Sequence, residues 1–322
     1  MQYRLVADIG GTNIRLGFSS NGEVLSEQVS RCDSHASLED AIAAFLSGVP
    51  HPATMAAIAV AAPVAPGGVV RMTNRPWQFS ADALKSRFGF ARVAILNDFA
   101  ALALSLPHLS AKDVAAVQEG KPAAGAPRLV LGSGTGLGMA GLVPAPSGVF
   151  IPVATEGGHV ALAVETDEEY AALALIRKRH GRVSAERILS GPGLCALADA
   201  LASVRGKGEV APASSEAIVA GMRRGDAFCS EVMSVFAGWL GAFVGDMALA
   251  WGARGGVFLG GGLLSGLGPE FLEASPFCAR FAAKGRFGDY LRQVPVFLIT
   301  RANPAFPGLS LTPEGGFGGM EQ

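Results

Sequence analysis

Two short segments concentrate the groups that could hold a phosphate: Asp8-Ile9-Gly10-Gly11-Thr12-Asn13 and Gly132-Ser133-Gly134-Thr135-Gly136-Leu137-Gly138. Apolar runs flank both, Tyr3–Ala7 and Ile14–Phe18 around the first, Leu129–Leu131 and Met139–Val143 around the second. That pattern predicts strand, glycine turn, strand, with backbone N–H groups left bare at the bend. Glycine lets a ligand come close to the main chain. Successive N–H groups form an anion nest, and the hydroxyls of Thr12 and Thr135 add donors. A pair of such turns, far apart in the chain, predicts a grip on a polyphosphate from two sides.

Other residues have the right chemistry but two readings each. Asp98, in Leu96-Asn97-Asp98-Phe99, falls where a strand gives way to a helix, so its carboxylate could cap the helix or act as a base. Glu156-Gly157-Gly158-His159 folds two polar side chains around a glycine bend. A carboxylate there could accept from two vicinal hydroxyls, whereas a histidine alone is more often structural. Glu186, in Ala185-Glu186-Arg187, reads from its spacing as a solvated helix face. Asp8 is either a strand-end aspartate or a group aimed at phosphates. Gly260-Gly261-Gly262, following a strand, is by itself only a flexible loop.

Several alternatives fail on context. Gly136-Leu137-Gly138-Met139-Ala140-Gly141 matches the dinucleotide fingerprint, but that motif must open a helix. Here Pro144 and Pro146 follow almost at once and the intervening residues read as a strand. The chain has no G-x-x-x-x-G-K-[ST] loop and lacks the protein-kinase signatures.

The elements that must position these residues alternate in a repeated order. Strands are expected at 3–9, 13–19 and 23–29, a helix at 37–48, a strand at 55–61, a helix at 80–88, a strand at 92–96 and a helix at 98–106. After the Gly/Pro/Ala-rich segment Gly120–Pro127 the series restarts. Strands are expected at 128–132, 138–143 and 149–154, helices at 166–180, 192–204, 214–223 and 227–251, a strand at 256–259, a helix at 269–284 and a strand at 295–299. This predicts an internally duplicated α/β unit with a cleft between the copies, where ligands usually bind.

With 322 residues, half of them apolar, the chain can form two domains with a sizeable core. Its formal charge of −1 argues against nucleic acid or an anionic membrane surface as partner. The four cysteines, Cys32, Cys195, Cys229 and Cys278, form no CxxC pair and fit reduced thiols in a cytoplasm. Met1 runs directly into a strand, which leaves no room for a signal peptide. Val232–Trp251 is apolar and long enough to cross a bilayer, but it is rich in Ala and Gly, contains Asp246 and lies between motif-bearing segments. It is expected to be a buried central helix.

Taken in order, the motifs resemble the bacterial glucokinases of the hexokinase/actin-like superfold. The carrying segments are Ala7–Asn13, Thr73-Asn74-Arg75-Pro76-Trp77, Leu96-Asn97-Asp98-Phe99-Ala100-Ala101, Gly134–Gly138, Glu156–His159, Ser184–Gly193, Gly255–Gly262 and Lys284-Gly285-Arg286-Phe287. The resemblance implies ATP-dependent phosphorylation of the 6-hydroxyl of glucose, the first step of glycolysis, by duplicated ribonuclease H-like domains. It implies a small domain of residues 1–110 plus roughly 300–322 and a large one of 111–299. Asp98 becomes the general base. Asn74, Asn97, Asp98, Glu156, His159 and Glu186 become the sugar ligands. Gly10, Gly11, Thr12, Asn13, Gly134 and Thr135 fall to the nucleotide phosphates, and Gly260, Gly261 and Gly262 to the adenosine. Asp8 would hold Mg²⁺, through water, beside the ATP.

Two departures accompany the resemblance. No zinc-binding cysteine cluster follows His159, unlike the related ROK sugar kinases. Where relatives usually end in a helix after the Asn-Pro, Asn303-Pro304 leads into Ala305-Phe306-Pro307-Gly308, and a tail through Gly315, Gly316, Gly318 and Gly319 is expected to be poorly ordered. A homodimer is expected, with no nucleic-acid or membrane partner. Two rival readings stand beside glucose phosphorylation: a kinase for fructose, mannose or an amino sugar, and a non-catalytic sugar sensor on the same fold.

Overall fold

A computed structural model describes residues 2–62, 64–65, 68–72, 75–206 and 211–312. The chain divides into two compact units. One comprises residues up to Ser110, Ala145–Ala154 and the segment from Arg301 onward; the other comprises Ala111–Pro144 and Thr155–Thr300.

The first unit is built on a five-stranded sheet. Its strands are β1 (Tyr3–Ile9), β2 (Asn13–Ser20), β3 (Glu23–Arg31), β4 (Met55–Val60) and, after the short strands β5 (Val64–Ala65), β6 (Val69–Arg71) and β7 (Gln78–Ser80), β8 (Arg92–Asn97). The order is β3-β2-β1-β4-β8, with β1 antiparallel to β2 and parallel to β4, which is parallel to β8. Side chains alternate across a strand. Leu5, Ala7 and Ile9 thus face one core with Ile14, Phe18, Ile42 and Ile58, while Val6 faces another with Ala57, Ala59, Ala101, Phe306 and Leu309. Both faces are covered, which is why β4 (Met-Ala-Ala-Ile-Ala-Val) is buried at every position. The helices α1 (Leu38–Leu46), α2 (Ala81–Phe88) and α3 (Asp98–Ser105) each start at a side-chain cap, Ser37, Ser80 and Asn97 respectively.

In the second unit β9 (Val114–Gln118) precedes the hairpin of β10 (Arg128–Ser133) and β11 (Leu137–Pro144). The strand β12 (Phe150–Thr155), whose residues through Ala154 belong to the first unit, leads into the Glu156 bend. Then come α4 (Asp167–His180), α5 (Gly191–Arg205), α6 (Ser215–Arg223), α7 (Ala227–Trp251), β13 (Val257–Gly260), α8 (Gly262–Leu267), α9 (Pro269–Ala274), α10 (Phe277–Ala282), α11 (Gly288–Arg292) and β14 (Val296–Ile299). β10 runs antiparallel to β11 and parallel to β13, which is parallel to β14. The strand relations β2-β1-β4-β8 of the first unit therefore recur as β11-β10-β13-β14, as expected of duplicated ribonuclease H-like folds. The addition is β9, antiparallel to β14, a strand that the sequence pattern did not single out.

The long apolar segment is the core helix α7. Trp239, Phe236, Phe243 and Val244 are buried, and its Asp246 pairs with Lys284 Nζ at 2.7 Å. The residues of the apparent dinucleotide fingerprint lie in the turn and in β11, not at a helix start.

Two expectations are corrected. The helix expected at 269–284 is broken into α9 and α10, because Pro276 biases Ser275 to an extended conformation (φ −91°, ψ 173°) and ends the first segment there. The segment after Asn303-Pro304 does form a short helix, Phe306–Ser310. Phe306 and Leu309 are fully buried, Arg4 donates to the carbonyls of Leu309 and Ser310 at 2.9 and 2.8 Å, and Gly308 N–H donates to Ser105 Oγ at 2.8 Å. The proline sits in the first turn, where no intrahelical N–H is needed. The glycine-rich tail through Gly319 lies outside the described residues.

Candidate active site

The first glycine turn joins β1 to β2 and is closed by Gly10 N–H donating to Asn13 O at 3.0 Å. Its remaining carbonyls are taken from outside. Arg75 Nη2 donates to Gly11 O at 2.6 Å, and Cys32 N–H donates to Thr12 O at 2.9 Å. Gly11 and Thr12 are exposed at the tip. Hairpin register places Asp8 opposite Arg15, and Arg15 Nη1 meets Asp8 Oδ2 at 3.1 Å. Burial pushes the Asp8 carboxyl up, while the charge and hydrogen bond of Arg15 pull it partly back. Sequence reasoning picked out Asp8 without this partner, although the signal was present: with Ile9 paired to Ile14, the next pair outward must be Asp8 and Arg15.

The second turn joins β10 to β11. Gly134 N–H donates to Gly136 O at 2.9 Å, and Gly134 O accepts from Gly191 N–H at 2.8 Å. Leu137 N–H donates to Glu186 Oε2 at 2.9 Å, so one amide of this turn already holds a carboxylate. Gly136 must lack a Cβ for that approach, since one built there would lie 2.5 Å from the same Glu186 oxygen. Thr135 is exposed at the tip. Ser133, the last residue of β10, donates through Oγ to Leu189 O at 2.8 Å.

Glu156, His159 and Glu186 come together. His159 Nδ1 lies 3.7 Å from Glu186 Oε1, and His159 Nε2 lies 3.9 Å from Glu156 Oε2. Backbone hydrogen bonds fix the segments, Glu186 N–H to Gly158 O and Ala185 N–H to Val160 O, both at 2.8 Å. The separations within the cluster are longer than direct hydrogen bonds and leave its polar atoms able to meet a ligand. Glu186 is thus no solvated helix face: it stands before α5, with one oxygen on the glycine turn and the other toward His159.

Asp98 and Asn97 divide the helix start differently from the simplest reading. Asn97 is the cap, its Oδ1 accepting from Phe99 N–H at 3.0 Å and Ala100 N–H at 3.2 Å. Asp98 is the first helical residue, half-buried, and its Oδ1 also lies 2.9 Å from Phe99 N. Its position in the first turn puts its charge where helix amide dipoles favour it.

Gly260, Gly261 and Gly262 carry the chain from β13 into α8. Gly261 has φ +87°, and a Cβ there would collide with the Ser133 carbonyl oxygen at 2.3 Å. The triple glycine is therefore a close crossing over the end of β10 rather than a slack loop. Asn74 lies outside the described residues. Arg75, its chain neighbour, is the functional-looking residue to which sequence reasoning assigned no role, and no local spacing connects it to Gly11.

A sequence model of the family described as Glucokinase matches residues 5–314. The chain belongs to the glucokinase family. It is 44% identical over 319 residues to a glucokinase of Cupriavidus pinatubonensis, covering 95% of this chain and 91% of the relative. A solved structure of glucokinase from an Antarctic psychrotroph is similar with a TM-score of 0.88 and 35% identity, over 96% of this chain and 98% of that one. A ROK family glucokinase from Streptomyces griseus, solved with glucose and AMPPNP, shares the fold at 21% identity, with a TM-score of 0.64 over 96% of this chain and 98% of its own. The two-domain actin-like architecture is thus the family's.

Proposed function

We propose that Asp98 is the general base in transfer of the γ-phosphoryl group of ATP to the 6-hydroxyl of glucose, the reaction of the family to which the chain belongs. The hydroxyl oxygen forms the new bond to phosphorus, ADP leaves with the electrons of the broken bond, and the hydroxyl proton passes to Asp98. In a loose phosphoryl-transfer transition state the proton leaves late, so aligning the hydroxyl matters as much as basicity. The capping by Asn97 supports this reading, because the helix start does not depend on Asp98 alone. Asn97 keeps its Nδ2 to donate to the sugar.

The observation that carries the reading is the convergence of Glu156, His159 and Glu186. Two carboxylates flanking an imidazole suit several adjacent hydroxyls, and an enzyme that only hydrolysed ATP would have no use for them. A site that pairs each hydroxyl rejects an analogue lacking one, because its own polar groups would go unpaired. Asn74 completes these contacts in the proposed assignment. Gly10, Gly11, Thr12 and Asn13, with Gly134 and Thr135, take the phosphates, and Gly260, Gly261 and Gly262 lie under the adenosine.

Asp8 fits a Mg²⁺ ion held largely by water and phosphate oxygens, since it offers a single carboxylate of which Arg15 takes one oxygen. The ion supplies charge neutralisation on the phosphates when bound. The protein is further proposed to act in the cytoplasm as a homodimer.

Steady-state phosphorylation of glucose, fructose, mannose and N-acetylglucosamine with Mg·ATP tests the reading, alongside Asp98→Asn. Turnover of glucose alone, reduced by about 10²–10⁴-fold in a folded Asp98→Asn, is the expected result. Near-normal turnover in that variant removes Asp98 from the mechanism. A wild-type chain that binds sugar but phosphorylates none is a sensor.

A further inference from the structure

Among the described residues, the only side chain that holds the first glycine turn by a strong hydrogen bond comes from far along the sequence. Arg75 donates through Nη2 to Gly11 O at 2.6 Å and reaches Asp33 Oδ1 through Nη1 at 3.4 Å. Its guanidinium lies over the ring of Trp77, 4.9 Å from the centroid. Only 9% of the side chain is exposed, and its Nε is buried with no hydrogen-bond partner among the described residues. Leaving a charged donor buried and unsatisfied is costly, so packing alone does not account for an arginine here. What distinguishes Arg from other large side chains at this site is the fork that spans Gly11 O and Asp33 together.

The Gly11 carbonyl and the Thr12 N–H belong to one planar trans peptide and point in opposite directions. A donor that fixes Gly11 O on one side therefore aims Thr12 N–H to the other. Cys32 N–H acts likewise on Thr12 O, aiming Asn13 N–H. Glycine at 10 and 11 gives the turn freedom to rotate these peptides, and without an external anchor their N–H groups would not converge on a ligand.

We propose that Arg75 is a positioning residue for the nucleotide, holding the first glycine turn with its amides turned toward the terminal phosphates of ATP. The proposal rests on the assignment of this turn to phosphate, made above. It also gives the Thr73–Trp77 segment a second role, since Asn74 is assigned to the sugar and the next residue governs the phosphate turn. Arg75 touches no substrate; it acts through Gly11.

The test measures binding of Mg·AMPPNP by calorimetry, together with KM for ATP and for glucose, in the wild type, Arg75→Lys and Arg75→Met. Arg75→Met is expected to weaken AMPPNP binding and raise the KM for ATP by about tenfold or more, with the KM for glucose moving less than twofold. Arg75→Lys keeps the charge without the planar fork and is expected to fall between. Unchanged AMPPNP affinity in a folded Arg75→Met overturns the proposal, as does an equal loss for nucleotide and glucose, which is what general loosening would produce. If Arg75→Met does not fold, Arg75→Lys decides, and wild-type AMPPNP affinity in that variant overturns the proposal. Nucleotide binding needs no sugar turnover, so the result stands apart from whether the wild type phosphorylates glucose.

Discussion

The two glycine turns begin as the same device and end with opposite electrostatics. In the β1–β2 turn the carbonyls are engaged, Gly11 O by a guanidinium and Thr12 O by an amide, and peptide planarity turns the Thr12 and Asn13 N–H groups the other way. In the β10–β11 turn an amide is engaged by a carboxylate, Leu137 N–H by Glu186. The first leaves its tip to a ligand; the second gives one amide to Glu186, itself a proposed sugar ligand, and leaves Gly134 and Thr135 to the proposed phosphates. Duplication supplied two equivalent hairpins, and the residue that reaches each from elsewhere in its unit, Arg75 or Glu186, decides what the hairpin does.

Removing Glu186 should break the comparison most severely. Glu186→Ala deletes a proposed hydroxyl acceptor and strips Leu137 N–H of its partner. Charge-assisted hydrogen bonds at that scale imply a loss of about 100-fold in kcat/KM for glucose, with the KM for ATP nearly unchanged. If the KM for ATP rises in parallel, Glu186 orders the proposed phosphate contacts of Gly134 and Thr135 as well as the sugar, and its assignment to the sugar alone fails. Gly136→Ala is the gentler version. Its Cβ would stand 2.5 Å from Glu186 Oε2, the mobile end of a side chain, so the carboxylate swings away and the fold survives. Glucose KM should rise by about tenfold, with the thermal midpoint held within a few degrees.

Much of this was legible beforehand because hairpins are local. The apolar runs around Gly10 and Gly134, the repeat of strand order and the apolar length of α7 all follow from neighbours in sequence. So did the placement of Asp98 at a helix start, though which of Asn97 and Asp98 caps it depends on backbone angles that composition does not fix. What remained hidden depends on long-range contact. Glu186 looks like a surface residue until Gly136 leaves room for it beside Leu137. Nothing near Arg75 says that it reaches Gly11. The helix Phe306–Ser310 was obscured by Pro307 and Gly308, which look like breakers but suit a first turn packed against Ser105 and the Arg4 guanidinium. The strand β9 is short, and its partner β14 lies at the other end of its unit.

The smallest expected effect separates the turns by stability instead of substrate. Burial raises the Asp8 carboxyl above its ordinary value of 3.8, and Arg15 only partly offsets that. The folded chain therefore binds this proton more tightly than the unfolded chain does. Between the ordinary and the raised value the native state carries the extra proton, so the group's contribution to stability falls as pH rises through that window and stays lowered above it. The neutral isostere avoids this. Asp8→Asn should raise the thermal midpoint of the ligand-free protein at pH 7, while glucose phosphorylation falls. The gain should vanish as pH drops below 4. Glu186 accepts from the Leu137 amide and keeps over a third of its side chain exposed, so Glu186→Gln, which weakens that charge-assisted hydrogen bond, should give no comparable gain. A lower midpoint for Asp8→Asn at pH 7 would instead make the Asp8–Arg15 pair a net stabiliser. The first turn would then be held together by the same charge that is proposed to face the metal.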